Sequence, residues 1–137
     1  MARVLIVDDY EPWRCLIRTR LVDHNEWEIV GEAEDGPEAV EKARELRPDL
    51  ILLDIGLPGM NGIEVAKQIF HTCPTSKIVF VTQVDDREVT AAALAAGAQA
   101  YLLKENVARE LVATVQAVLL DGSPVFHPLD GFGRCAS

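Results

Sequence analysis

A run of four aliphatic residues, Leu50–Leu53, constrains the fold of this chain more than any other feature. Pro48 lies just before the run and a turn from Gly56 to Gly59 follows it, so the run is too short for a helix and predicts a strand. Because no polar residue interrupts it, we expect both faces to be buried, as in the centre of a parallel sheet. Asp54 ends the strand where open α/β sheets bind ligands, which makes it the leading candidate for chemistry. The alternative is an aspartate that only starts a turn.

Four further strand patterns alternate with helical patterns. The other predicted strands span residues 3–7, 27–33, 77–82 and 99–103. Helical spacing of apolar residues follows each strand, with predicted helices beginning near residues 12, 37, 62, 86 and 107. In residues 27–33, Trp, Ile and Gly alternate with Glu, Val and Glu, which indicates a strand nearer the sheet edge. Five strands alternating with five helices predict an α/β fold whose parallel sheet is covered on both faces.

Length and charge narrow the class of protein. The 137 residues fit one domain, which we expect to occupy residues 1–121, and residues 122–137 are expected to be a C-terminal tail or a truncated linker. The formal net charge of −9 argues against nucleic-acid binding by this domain, because phosphate contacts need clustered Lys and Arg. The sequence shows no signal-peptide or membrane-span pattern, and its three cysteines lack metal-ligand spacing. We therefore expect a cytoplasmic protein with reduced thiols and no membrane contact.

Polar residues follow the other strands at the same predicted edge. Asp8 and Asp9 follow the first strand, Thr82 ends the fourth and Lys104 follows the fifth. Each has an ordinary interpretation by itself, such as a helix cap or a solvated charge. Since the carboxyl ends of parallel strands share one edge, we expect three carboxylates, a hydroxyl and a lysine to converge there. Trp13 lies four residues after Asp9 and is expected near the same pocket.

The crowded carboxylates require a counter-charge. Two carboxylates about 5 Å apart repel by about 3 kcal/mol at an effective dielectric constant of about 20. A protonated carboxyl or a bound cation would relieve this repulsion. An oxygen-only site without His or Cys favours a hard ion, so Mg²⁺ is the expected cofactor. Mg²⁺ beside a strand-end aspartate, a lysine and a hydroxyl is suited to phosphoryl transfer, with an aspartyl phosphate on Asp54 as the product.

These motifs resemble those of the response-regulator receiver domains of two-component signalling. The resemblance covers essentially residues 3 to 120 and rests on motifs that are specific as a set: Val7-Asp8-Asp9, Leu53-Asp54, Leu57-Pro58-Gly59-Met60-Asn61-Gly62, Thr82, and Gly97-Ala98 through Tyr101-Leu102-Leu103-Lys104. The last of these is similar to receivers that precede a helix-turn-helix output domain. The resemblance implies a flavodoxin-like, doubly wound sheet with the strand order 2-1-3-4-5.

The resemblance also implies a phosphorelay mechanism. Asp54 would accept a phosphoryl group from the phosphohistidine of a sensor histidine kinase, and Lys104 and Thr82 would assist. The domain would not be an enzyme, although it would assist its own phosphorylation and dephosphorylation. Thr82 would bind the phosphoryl group while Tyr101 turns inward. This change would switch the surface of the fourth helix, fifth strand and fifth helix toward an output domain or a partner, with transcription regulation as the expected process.

The metal ligands are likewise implied by the resemblance. Asp9 and Asp54 would bind Mg²⁺ directly. Asp8 would bind it through water, and Gly56 would bind it through its main-chain oxygen. Gly56 stands where many receivers carry a larger side chain, so the phosphoryl lifetime is open.

Two further departures from the receiver pattern bear on the site. Gln83 follows Thr82 where a small residue is common, and it could contact or shield the phosphate. Glu105 replaces the proline that usually follows the lysine, so a cis bond after Lys104 would cost about 3 kcal/mol rather than about 1, and the geometry there is open.

Several alternatives compete with a phosphorelay receiver. A flavodoxin-like FMN binder would need a glycine- and hydroxyl-rich loop after the first strand, where Asp8 and Asp9 would instead repel a phosphate. A phosphohydrolase of the haloacid dehalogenase type carries Asp-x-Asp, and here the second position is Gly56. The main alternative is a receiver-fold interaction module whose phosphorylation site is unused. A homodimer through the apolar face of the fifth helix is a further hypothesis, although burial against the sheet is the expected use of that face.

Overall fold

The structure is a computed structural model that describes residues 1–121. Its strands are β1 (Ala2–Val7), β2 (Trp27–Ala33), β3 (Leu50–Leu53), β4 (Lys77–Thr82) and β5 (Ala100–Leu103). Its helices are α1 (Glu11–Leu21), α2 (Gly36–Leu46), α3 (Gly62–Thr72), α4 (Arg87–Ala95) and α5 (Val107–Asp121). The strands form one parallel sheet in the order β2-β1-β3-β4-β5, which confirms the predicted class and strand order. The expected tail, residues 122–137, lies outside the described residues.

The central strands bury both faces of the sheet, as their uninterrupted apolar sequences predict. In β1, Val4 and Ile6 pack on the face covered by α1 and α5. Leu5 and Val7 pack on the opposite face, against α2, α3 and α4. This alternation follows from the two-residue period of a strand. The apolar residues of α5 are used in the core on the first face, as expected from the sequence.

The edge strand β2 departs from the simple alternation that its sequence predicts. Ile29 pairs with β1 before a register shift and Gly31 pairs with it afterwards, so Val30 has no partner in β1. Such a bulge turns the residues that follow it to the opposite faces. Ala33 therefore joins the core beside α2 and α3, and Glu32 faces α1.

Helix starts follow the capping residues of the sequence. The side chains of Asp35, Asn61 and Asp86 each accept hydrogen bonds from amides in the first turn of α2, α3 and α4. A short 3₁₀ turn, Lys104–Asn106, joins β5 to α5 and was not predicted. The bond between Lys104 and Glu105 is trans, since residues 1–121 contain no cis peptide bond. Among these residues, no helix has the length and apolar character needed to cross a membrane.

Candidate functional site

Three carboxylates meet at the carboxyl ends of β1 and β3, which are neighbours in the sheet. Asp8 directly follows β1 and Asp54 directly follows β3, and their side chains are almost fully buried. Asp9 is exposed at the rim. One carboxylate oxygen from each residue lies within 4.8 Å of the other two. The structure thus brings together the three acids that the sequence placed at this edge.

Lys104 is the cation that these acids share. Its Nζ atom lies 2.7 Å from Asp8 Oδ2 and 3.1 Å from Asp54 Oδ2, and the residue is 7% exposed. The lysine begins the turn after β5, two strands away from β3, so only a long side chain could cross the end of β4 to reach these carboxylates. The ammonium therefore partly neutralises the pocket from inside the protein.

Asp8 remains incompletely satisfied despite this ion pair. Its Oδ1 accepts a hydrogen bond of 2.9 Å from the amide of Tyr10. Its Oδ2 has no well-aligned hydrogen-bond donor among residues 1–121, although the Lys104 ammonium is close. Burial raises the pKa of the Asp8 carboxyl above its ordinary value, and the charge of Asp54 adds to the rise, whereas the nearby Lys104 ammonium and the Tyr10 amide oppose it.

The oxygen atoms of this pocket are suitable ligands for a hard divalent cation. The buried Oδ2 of Asp8 lacks an aligned donor, and the carboxylates of Asp9 and Asp54 lie beside it. Gly56 lines the same cavity, which has a volume of ≈ 380 Å³. A set of carboxylate and main-chain oxygens without sulfur or imidazole is typical of Mg²⁺ sites.

Two glycines near Asp54 serve different purposes. A Cβ added to Gly56 would meet nothing within 4 Å, so this position is open space beside the pocket. A Cβ added to Gly62 would overlap the main-chain oxygen of Asp54 and lie 2.6 Å from Ile55 Cα. The Gly62 amide donates to Ile55 O at 2.8 Å. This bond holds the first residue of α3 directly against the segment that follows β3. Glycine is therefore required at position 62 so that α3 can approach the main chain of Asp54 and Ile55, whereas Gly56 leaves the cavity open.

Thr82 and Tyr101 are joined through the main chain of one residue, Val84. Thr82 Oγ1 accepts a hydrogen bond of 3.3 Å from the Val84 amide. The Tyr101 hydroxyl donates to the Val84 carbonyl at 2.6 Å. Both side chains are 1% exposed, so Tyr101 lies inward in this structure. The two proposed switch residues thus hold the same segment of the β4–α4 loop from opposite sides.

Arg14 supports the site and was missed in the sequence analysis. It is buried, and its Nη1 donates to the main-chain oxygen of Asp8 at 2.6 Å while Nε donates to the Glu32 carboxylate at 2.9 Å. This guanidinium fixes the peptide group that follows Asp8. Helical spacing carried a signal, because Arg14 lies three residues before Ile17 and seven before Leu21, on the apolar face of α1.

Trp13 and Gln83 line the acid pocket, as does Tyr10. The Trp13 ring centroid lies 4.9 Å from Lys104 Nζ, so the expected position of this tryptophan near the pocket is confirmed. Gln83 is exposed at the mouth, between the pocket and solvent.

Comparisons with known proteins agree with this geometry. The model of the response regulator receiver domain family matches residues 4–116. The transcriptional regulatory protein LiaR of Bacillus subtilis (strain 168) is 40% identical over 117 residues, which cover 85% of this chain and 56% of LiaR. The response regulator GacA of Pseudomonas viridiflava is 36% identical over 118 residues, which cover 86% of this chain and 55% of GacA. The chain thus spans about half the length of these relatives.

Solved structures of response regulators have a similar fold. The response regulator domain of Thermotoga maritima CheB has a TM-score of 0.79 and 34% identity, with coverage of 88% of this chain and 98% of that domain. A LuxR-family two-component response regulator from Aurantimonas sp. SI85-9A1 has a TM-score of 0.88 and 30% identity, with coverage of 99% and 96%.

Proposed function

Because this chain belongs to the response regulator receiver domain family, we propose that it accepts a phosphoryl group on Asp54 from a sensor histidine kinase. The observation that supports this proposal best is the position of Asp54. Its carboxylate lies in an open cavity beside two further carboxylates and the buried ammonium of Lys104. This combination places a nucleophile next to the charges that phosphoryl transfer requires.

In the proposed reaction, a carboxylate oxygen of Asp54 attacks the phosphorus atom of a phosphohistidine. A phosphorus–oxygen bond forms, the phosphorus–nitrogen bond breaks, and the imidazole leaves with the bonding electron pair. The Lys104 ammonium would exchange one carboxylate contact for an oxygen of the incoming phosphoryl group and hold it beside Asp54. Attack by water on the aspartyl phosphate would then remove the phosphoryl group and end the signal. The domain would assist both its own phosphorylation and this dephosphorylation.

The acid residues would hold the metal ion. Asp9 and Asp54 would bind Mg²⁺ directly, Asp8 would bind it through water, and Gly56 would contribute its main-chain oxygen. The bound ion would supply positive charge against the phosphoryl oxygens. Arg14 would keep the Asp8 peptide in place while this site forms.

Thr82 and Tyr101 would convert phosphorylation into a change of surface. A phosphoryl dianion on Asp54 would accept a hydrogen bond from the Thr82 hydroxyl, whose oxygen accepts from the Val84 amide in this structure. Rotation of the Thr82 side chain toward the phosphoryl group would weaken that bond to Val84. Since Tyr101 holds the same residue through its carbonyl, movement of Val84 would be passed to β5. The surface of α4, β5 and α5 would then favour a second arrangement and be read by an output domain or a partner protein.

The family suggests the cellular setting. Relatives such as LiaR are named transcriptional regulatory proteins, so transcription regulation is the proposed output. The proposed site of action is the cytoplasm, where sensor kinases use ATP. This domain itself would contact neither nucleic acid nor membrane, and homodimer formation is the proposed alternative to binding a separate partner.

Intact mass after incubation with acetyl phosphate and Mg²⁺ tests the proposal. We expect the wild type to gain the mass of one phosphoryl group and the Asp54→Asn variant to gain none. Omission of Mg²⁺ serves as a second control. If the wild type gains no mass and also fails to bind beryllofluoride, the chain is a receiver-fold interaction module with an unused site.

A further inference from the structure

Three side chains contact the Lys104 ammonium, namely those of Asp8, Asp54 and Trp13. The carboxylates of Asp8 and Asp54 lie at 2.7 and 3.1 Å from the ammonium. The Trp13 ring centroid lies at 4.9 Å from the same nitrogen. At this distance the face of an indole attracts an ammonium, and tryptophan is the strongest of the aromatic side chains in this respect.

Trp13 also stands between two cavities that meet at the lysine. The acid pocket occupies ≈ 380 Å³, and a neighbouring cavity of ≈ 320 Å³ is lined by Leu103 and Glu105. Both cavities are lined by Trp13, Gln83 and Lys104, so the two cavities adjoin at these three residues. Without the Trp13 indole, the flexible side chain of Lys104 could turn away from Asp54 toward the second cavity and the exposed Glu105.

We propose that Trp13 is a positioning residue whose indole face keeps the Lys104 ammonium in the acid pocket beside Asp54. This inference rests on the proposed function of Asp54 as phosphoacceptor. An ammonium held against an indole with little water present is favoured there by about tenfold to thirtyfold over a position without the contact. Trp13 thus acts through the lysine, and an apolar side chain of similar bulk cannot replace it.

The first readout is structural and independent of phosphorylation. In NMR spectra of protein with ¹³C-labelled lysine, the Hε protons of Lys104 should be shifted upfield by the indole ring current. The Lys104→Met variant identifies the signal by its absence. We expect Trp13→Phe to retain part of this shift and Trp13→Leu to abolish it. Trp27→Phe, which removes the tryptophan at the other end of the sheet, should leave it unchanged.

The second readout is the rate constant of phosphorylation by acetyl phosphate at saturating Mg²⁺. We expect Trp13→Leu to lower it by about tenfold and Trp13→Phe by no more than about threefold, because a phenyl ring keeps a weaker cation–π contact. A residue that only fills space would give equal rates for the two variants. Trp13→Met is a second apolar variant that replaces Trp13→Leu if the leucine protein does not fold.

The outcomes separate this inference from the proposed function. If the wild type is phosphorylated but the Phe and Leu variants have equal rates, or if the Lys104 signal is not shifted in the wild type, the role of Trp13 is overturned and Asp54 remains the acceptor. If the wild type is not phosphorylated, the proposed function fails and this inference fails with it.

Discussion

At the amino ends of β1 and β3, Arg3 and Asp49 are satisfied by main-chain groups, whereas at the carboxyl ends two buried carboxylates share Lys104 and a third lies at the rim. The Arg3 amide donates to the Asp49 carboxylate at 2.8 Å, and the Arg3 guanidinium donates to the Leu46 carbonyl at 2.8 Å. At the same end, the buried Ser76 hydroxyl donates to a main-chain carbonyl at 2.6 Å. These hydrogen bonds fix the amino ends of β1, β3 and β4.

The carboxyl ends of the same strands keep charges that are only partly compensated. The Asp8 carboxyl has a raised pKa and an oxygen without an aligned donor, and Asp9 adds a further negative charge at the rim. The comparison teaches that one sheet combines an end whose polar groups are paired with an end where stability is given up for the proposed phosphoryl site.

Replacement of Lys104 by Met should destabilise the metal-free protein most. Asp8 and Asp54 would lose their shared cation, and an unpaired buried charge of this kind costs about 3 kcal/mol in free energy of unfolding. Urea unfolding in buffer with chelator measures the loss, and added Mg²⁺ should restore part of it. The control is Lys67→Met, which removes an exposed lysine paired with Glu64 at 3.7 Å and should cost less than about 0.5 kcal/mol. Equal losses would contradict the account of the carboxyl end.

Replacement of Ser76 by Ala should weaken the amino end. The Pro48 carbonyl would lose its donor in a buried setting, which costs about 1 to 2 kcal/mol. Urea unfolding should show this loss to be the same with and without Mg²⁺, in contrast to the Lys104 variant. Thr75→Ala changes the exposed neighbour and serves as the matched control. A loss that Mg²⁺ reverses would mean that the two ends are not independent.

Replacement of Asp9 by Asn should stabilise the metal-free protein. One of three neighbouring negative charges would be removed, and since Asp9 is exposed the gain should be only about 0.5 to 1 kcal/mol. The melting temperature should rise in chelator while the affinity for Mg²⁺ falls, as measured by titration of tryptophan fluorescence. Asp23→Asn removes an exposed charge outside the pocket and should change neither. Lower stability of the Asp9 variant would show that the pocket is not crowded.

The smallest expected effect is a change in the slope of stability against pH. Since the pKa of Asp8 is raised in the folded state, the folded protein binds this proton more tightly than the unfolded chain does. The contribution of Asp8 to stability is therefore present below the ordinary pKa of 3.8 and is lost as pH rises through the raised folded value. In chelator, the stability of Asp8→Asn relative to wild type should increase as pH rises from about 4. A constant difference between the two proteins would contradict this assignment.

Much of the fold could be predicted because apolar patterns are local. The uninterrupted run in β3 and the stripe of apolar residues in each helix predicted where the strands and helices lie. Because parallel strands share one carboxyl edge, Asp8, Asp54 and Lys104 could then be placed together. The roles of these residues came from the motifs, and they remain predictions until phosphorylation is measured.

Other features depend on tertiary contacts that no local pattern encodes. The bulge at Val30 reflects how β2 pairs with β1, and it is what turns Glu32 toward Arg14. The sequence placed Trp13 near the pocket, but its cation–π contact with Lys104 joins residues that lie far apart in the chain. That contact was not predicted, because side-chain partners on different elements are set by packing rather than by spacing.

The approach of α3 to the main chain of Asp54 bears on how the intervening loop can change during evolution. The amide of Gly62 closes the loop at its base by bonding to Ile55 O. Pro58 and Gly59 are exposed at the tip, so insertions there would leave the base intact, and the loop could change in length without moving Asp54. Gly62 cannot vary in the same way, because any side chain there would displace the main-chain carbonyl of Asp54. Variation in the length and sequence of this loop is thus expected to be tolerated only up to Gly62, the first residue of α3.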